Sequence, residues 1–151
     1  MHRSDRTRIH IMITIFVMVF IFVQSALPGK VSGAESNFIV RWIVAVLNAE
    51  AETVSFVVRK MAHFTEYMIL GGCLMLDVRD FAEKKTGVNL LFIAWIIGAL
   101  YAATDEFHQR FVPQRSGELR DVCIDAAGVA AGVLIMWGIT KWRQKRKLQR
   151  K

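Results

Sequence analysis

The sequence predicts an all-α integral membrane protein with four transmembrane helices and a further interfacial or re-entrant helix between the first and the second. Three observations lead there. Apolar runs of membrane length recur along the chain, hydrophobic residues make up 54% of it, and its charged residues, 22%, are segregated from those runs. The basic residues also cluster at alternate connections. Crossing about 30 Å of hydrocarbon takes about 20 apolar residues in a helix, so 151 residues suit one membrane domain, 1–151.

The first helix is predicted at about 9–27, after the basic stretch MHRSDRTR. His10, Thr14, Gln24 and Ser25 interrupt it only near its ends, and Pro28-Gly29 ends it. The run exceeds the 7–15 apolar residues of a signal peptide, so it reads as a retained span. Residues 30–58 are harder to assign. Phe38–Val40 and Trp42–Leu47 flank Arg41 and are too short to cross. An amphipathic interfacial helix with Trp42 among the headgroups fits them, or a re-entrant segment buried in protein.

The second helix is expected at about 54–76. Arg59, Lys60, His63 and Glu66 interrupt its first half, whereas Met68 to Leu76 is apolar. At 100° per residue, Lys60, His63, Glu66 and Tyr67 fall within roughly a 120° arc, which leaves the rest of the surface for lipid. Asp77 to Asn89 reads as a polar loop. The third helix, about 90–109, ends in Asp105-Glu106-Phe107-His108-Gln109, with Tyr101, Asp105 and His108 on one face. A connector, Pro113-Gln114-Arg115-Ser116-Gly117, leads to the fourth helix at about 121–142. There Asp121, Asp125, Gly128 and Gly132 share a face, and Gly128-x-x-x-Gly132 is a close-packing pattern of membrane helices.

The tail 141–151 holds seven of the twenty Lys and Arg and no acid. It directly follows an apolar run, where the positive-inside rule places such residues, and no zinc spacing or base-stacking motif favours nucleic acid. The N-terminal stretch and the 77–89 loop carry three basic residues each. Placing these three segments on one side predicts a plasma-membrane protein with both termini cytoplasmic and the polar motifs facing outward. Cys73 and Cys123 lack a Cys-x-x-Cys context and read as small hydrophobes. His10 reads as an isolated interfacial residue, and Trp95, Trp137 and Trp142 as core or belt residues.

Ionisable groups near lipid are costly and mark functional sites. Ten polar residues are predicted to meet at the outward end: Lys60, His63, Glu66, Asp105, Glu106, His108, Gln109, Arg115, Asp121 and Asp125. Lys60 with Asp105 or Asp125, and Arg115 with Asp121, are the expected pairs. Three readings fit. In a catalytic or ligand-binding site, His63 or His108 serves as base or nucleophile, Asp105 or Glu106 orients it, and Lys60 and Arg115 hold an anion. In a divalent metal site, His63 with Glu66, or Asp105 with His108, sit three residues apart as helical ligands, although the neighbouring Lys and Arg oppose a cation. In a structural site, the same groups are an ion-pair network locking the helices. No cofactor is specified.

Lys60-Met-Ala-His63-Phe64-x-Glu66-Tyr67, Asp105-Glu106-Phe107-His108-Gln109, Pro113-x-Arg115 and Asp121-x-x-x-Asp125-x-x-Gly128 together resemble the VanZ-like family of small bacterial membrane proteins. The resemblance spans roughly residues 10 to 140. The family commonly has Pro-Gly-Arg where this chain has Gln114, and often Asn in place of Asp125. The resemblance implies a four-helix protein of the bacterial cell envelope. The family's namesake is associated with low-level resistance to the lipoglycopeptide teicoplanin. A ligand that is an envelope lipid, a cell-wall precursor or a lipoglycopeptide follows as an expectation.

Overall fold

The computed structural model describes residues 3–27, 40–46, 48, 50–83, 87–113, 115 and 117–150, and all regular structure among them is helical. The helices are α1 (Arg3–Ala26), α2 (40–46), α3 (Ala51–Phe81), α4 (Val88–Gln109) and α5 (Leu119–Gln149). Three stretches, Ser4–Ala26, Val88–Gln109 and Leu119–Gln149, are long and apolar enough to cross a membrane. The 31 residues of α3 span about 46 Å, which is ample length, but Arg59, Lys60 and Glu66 sit inside it. In α2 the Trp42 side chain is exposed. Of the expected interfacial or re-entrant segment 30–58, residues 30–39, 47 and 49 lie outside the described residues and 51–58 belong to α3; Pro28, Gly29, Lys84, Lys85, Gln114 and Ser116 also lie outside them.

Three boundaries differ from the sequence expectation, the first being that α1 begins at Arg3 rather than at about residue 9. The stretch beginning at Asp77 reads as loop in the sequence, yet α3 continues to Phe81, because Asp77 and Asp80 find partners on α1. Thr14 Oγ1 donates to Asp77 at 2.6 Å, and Thr7 Oγ1 donates to Asp80 at 3.3 Å. His10 Nδ1 lies 3.0 Å from the same Asp80 carboxylate, so His10 is a packing partner rather than an isolated interfacial residue. The basic tail is also helical. Lys, Arg, Gln and Leu are good helix formers, and Lys141 and Arg146 lie 4.1 and 4.0 Å over the rings of Trp137 and Trp142.

α3 is the central helix and packs on α1, α4 and α5. α1 runs antiparallel to it, with His10 beside Asp80 at one end and Ser25 reaching the level of Tyr67 at the other. α5 runs parallel to α3, from Lys60 beside Asp121 to Gly72 beside Gly132. Glycines let these two backbones approach: Gly128 faces the Phe64 carbonyl, Gly132 that of Met68, and Gly71 that of Val129. Close contact through small residues is how helices associate where lipid is as apolar as the side chains. The core around the seam contains Tyr67, Leu70, Met75, Val129 and Val133. The outer faces stay apolar and exposed, as at Met12 and Phe16 on α1 and Phe92 on α4.

Candidate functional site

Helical spacing on α3 puts Lys60, His63 and Tyr67 on successive turns facing the bundle, and α5 does the same with Asp121 and Asp125. The last turns of α4 supply Asp105, Glu106 and Gln109. These groups meet at one end of the bundle, beside the end of α1 and under the connector that carries Arg115.

The buried Asp105 carboxylate is the hub. Its Oδ2 accepts from Ser25 Oγ at 2.7 Å, Tyr67 Oη at 3.1 Å and Gln109 Nε2 at 3.1 Å, which ties α1, α3 and α4 together. Gln109 Nε2 also reaches Glu106 Oε1 at 3.2 Å, and Glu106 Oε2 accepts the Glu118 backbone N–H at 3.2 Å. Arg115 spreads its fork over neutral acceptors. Nε donates to the Leu27 carbonyl at 3.0 Å, Nη2 to the Gln24 carbonyl at 2.8 Å, and Nη1 to Gln109 Oε1 at 3.3 Å. The two carbonyls lie at the C-terminal end of α1, where Gln24 O otherwise accepts, among the described residues, only a long bond from the Leu27 N–H at 3.4 Å, so Arg115 caps that helix. Burial and the nearby Arg59 charge push the Arg115 guanidinium below its ordinary value.

The charge partners differ from both expected pairs. Lys60 forms its ion pair with Asp121, and Arg115 binds Gln109 and the α1 carbonyls rather than Asp121. Local spacing allowed each of these acids, and only the register of α5 on α3 selects among them. Asp125 is fully buried beside His63, whose Nδ1 is 3.7 Å from Oδ1, too far for a hydrogen bond. Neither Asp125 oxygen has a hydrogen-bond partner among the described residues.

Above this floor opens a recess of about 200 Å³, walled by Phe56, Arg59, Lys60, His63, Arg115 and Asp121 and reaching Asp125 and Gln109. Glu106 and Asp105 lie directly behind Gln109. Two expected members stand apart. His108 is at the same end but turns toward α1, its ring 4.6 Å from that of Phe22, and it does not line the recess. Glu66 is half-buried among the charges of His63, Asp105, Asp125 and Arg115 without lining the cavity. Ser25 and the α1 carbonyls are additions that sequence reasoning missed. A small hydroxyl in the last turn of an apolar helix was their one signal, and it also suited a helix end.

The VanZ/LLP1 family model matches residues 10–141. The chain belongs to the VanZ/LLP1 family. The matched span contains every residue of the recess in this VanZ/LLP1 protein, from Phe56 on α3 to Asp125 on α5, and Ser25 on α1 as well. No curated protein and no solved structure is significantly similar to it. Family membership and the three apolar helices make it a VanZ-like membrane protein of the cell envelope.

Proposed function

We propose that this VanZ/LLP1 protein spans the bacterial plasma membrane four times with both termini cytoplasmic, and that its outward-facing recess binds the anionic headgroup of an envelope lipid. α3 serves as the fourth span because α1, α4 and α5 pack on it and its Lys60, His63 and Glu66 are partly buried against them, while Arg59 stays exposed in the wall of the recess. The orientation is supported by Arg6, Arg79, Arg143, Arg146 and Lys147, which gather around one cavity of about 640 Å³ at the end opposite the recess. Thiol labelling checks it. In a background lacking Cys73 and Cys123, Leu119→Cys is expected to react with an impermeant maleimide from outside and Leu148→Cys only after lysis. The reverse pattern overturns the orientation.

The observation that carries the ligand reading is the recess itself, with Arg59, Lys60 and Arg115 in its wall and Phe56 and Ile124 alongside. Guanidinium and ammonium groups suit a phosphate or carboxylate, and the apolar neighbours suit the start of a lipid chain. Volume favours a small headgroup among the candidate ligands. About 200 Å³ is below the 300–1,000 Å³ of drug-sized pockets, so a phosphate headgroup enters whereas a lipoglycopeptide inserts only an anionic part. Detergent-purified protein is expected to bind a polyprenyl phosphate at least tenfold more tightly than the uncharged polyprenol, and Arg59→Gln is expected to reduce that preference. Equal binding of the two overturns the reading. Mass spectrometry of the recovered lipid shows whether the headgroup is altered as well as bound, with His63 the candidate base. The second reading, a purely structural network, is favoured by the internal bonds of Asp105. It predicts that His63→Ala lowers the melting temperature and binding together, whereas a binding site predicts loss of binding alone.

A further inference from the structure

We infer that His63, Glu106 and Asp125 form a site for one divalent transition-metal ion at the floor of the recess. One ligand atom from each of these residues, contributed by α3, α4 and α5, lies within 4.8 Å of the other two. Two carboxylates and one imidazole are a donor set that Zn²⁺ accepts, with a fourth position open to water or ligand. Neither helical pair suggested by spacing alone takes part as a pair: Glu66 and His108 are outside the set, and Asp105 is committed to Ser25, Tyr67 and Gln109.

The second observation is Asp125. Its carboxylate is 0% exposed, both oxygens are buried without a hydrogen-bond partner among the described residues, and it points at the other two ligands. A buried carboxylate in that condition is costly and calls for a cation. The nearby Lys and Arg do not meet the need, and His63, with Nδ1 3.7 Å from Oδ1, makes only a long ion pair with it. Lys60 is paired with Asp121, and Arg115 is held by the Gln24 and Leu27 carbonyls and by Gln109. The sequence argument against a cation, that Lys and Arg stand close by, is thus removed by where those side chains bond. A divalent ion with Glu106, Asp125 and neutral His63 gives a locally neutral cluster. Glu106 is already oriented by Gln109 and the Glu118 N–H, as ligand carboxylates commonly are. Bonds of about 2.0–2.1 Å require these three ligand atoms to draw closer together than 4.8 Å when the ion binds.

This site deepens the headgroup reading, since an ion there would hold a phosphate oxygen entering past Arg59. It rests on that reading only for what the ion binds, not for the ion itself. Full-length protein stripped with chelator is expected to bind one equivalent of Zn²⁺, to melt at a higher temperature when loaded, and to show one imidazole with oxygen donors by X-ray absorption. Glu106→Gln, Asp125→Asn and His63→Gln are each expected to weaken binding at least tenfold, while His10→Ala leaves it unchanged. Absence of a one-to-one site, or affinity that survives all three substitutions, overturns the assignment. So does an absorption edge with thiolate or several imidazoles, a measurement on the unaltered chain that does not depend on variants folding. Polyprenyl phosphate binding with and without Zn²⁺ separates the two ideas. Lipid binding with no metal site sinks this inference alone, and a metal site with no phosphate preference sinks the headgroup reading alone.

Discussion

Gly132→Ala is expected to destabilise the protein by about 3 kcal/mol or more, enough to lose most folded material from detergent extracts. A Cβ at this position would overlap the Met68 carbonyl oxygen and come within 2.8 Å of the Gly72 amide nitrogen. Both obstacles are α3 backbone, so no rotamer change relieves them and the helices must separate. Overpacking a core by a methylene typically costs 1–3 kcal/mol when side chains can yield, and here none can. The seam is also tight one turn earlier, where a Cβ on Gly128 would sit 2.5 Å from the Phe64 carbonyl oxygen. Gly138→Ala on the same helix is the control. Nothing lies within 4 Å of the point its new methyl would occupy, so the usual helical gain of Ala over Gly, about 0.5–1 kcal/mol, is expected instead. Thermal melts of the two variants should therefore shift in opposite directions. A Gly132→Ala protein that melts with the wild type would mean that α3 and α5 do not meet as described.

Asp105→Ala is the second large effect, with an expected loss of about 3–5 kcal/mol. The substitution strands the Ser25 and Tyr67 hydroxyls as donors in a buried place, each unsatisfied donor costing about 1–3 kcal/mol, and removes one of the three acceptors around Gln109 Nε2. Asp105→Asn keeps an acceptor oxygen for those donors and is expected to cost less. Its amide would nevertheless face the side now occupied by Oδ1, which has no hydrogen-bond partner among the described residues. Adding Ser25→Ala to Asp105→Ala should cost less than Ser25→Ala alone, because the Ser25–Asp105 bond is already gone and only the long bond from Gln109 Nε2 remains, so a double-mutant cycle by thermal melting tests the link. Fully additive losses would show that α1 is not tied to α4 through this carboxylate.

Much of this was readable in the chain. The apolar lengths place α1, α4 and α5, and the 100° periodicity puts Lys60, His63 and Tyr67 on one inward face of α3. Such patterns are local, and so they say little about partners. Asp121 and Asp125 are equally available to Lys60 by spacing, yet a single turn of register along the glycine seam gives one to Lys60 and the other to His63. His108 shares a periodic face with Asp105, but the rotation of α4 stacks it on Phe22 instead.

The sequence by itself determined that this is a helical, VanZ-like membrane protein with a polar end, because hydrocarbon length and the cost of charge near lipid act on each segment separately. Tertiary structure alone decided which charges cancel and which are left over. It made Arg115 the cap of α1, extended α3 to meet Thr7, His10 and Thr14, and brought His63, Glu106 and Asp125 together. The reason is that electrostatic pairing falls off over a few ångströms, and distances that short between helices are fixed only when their backbones lock together.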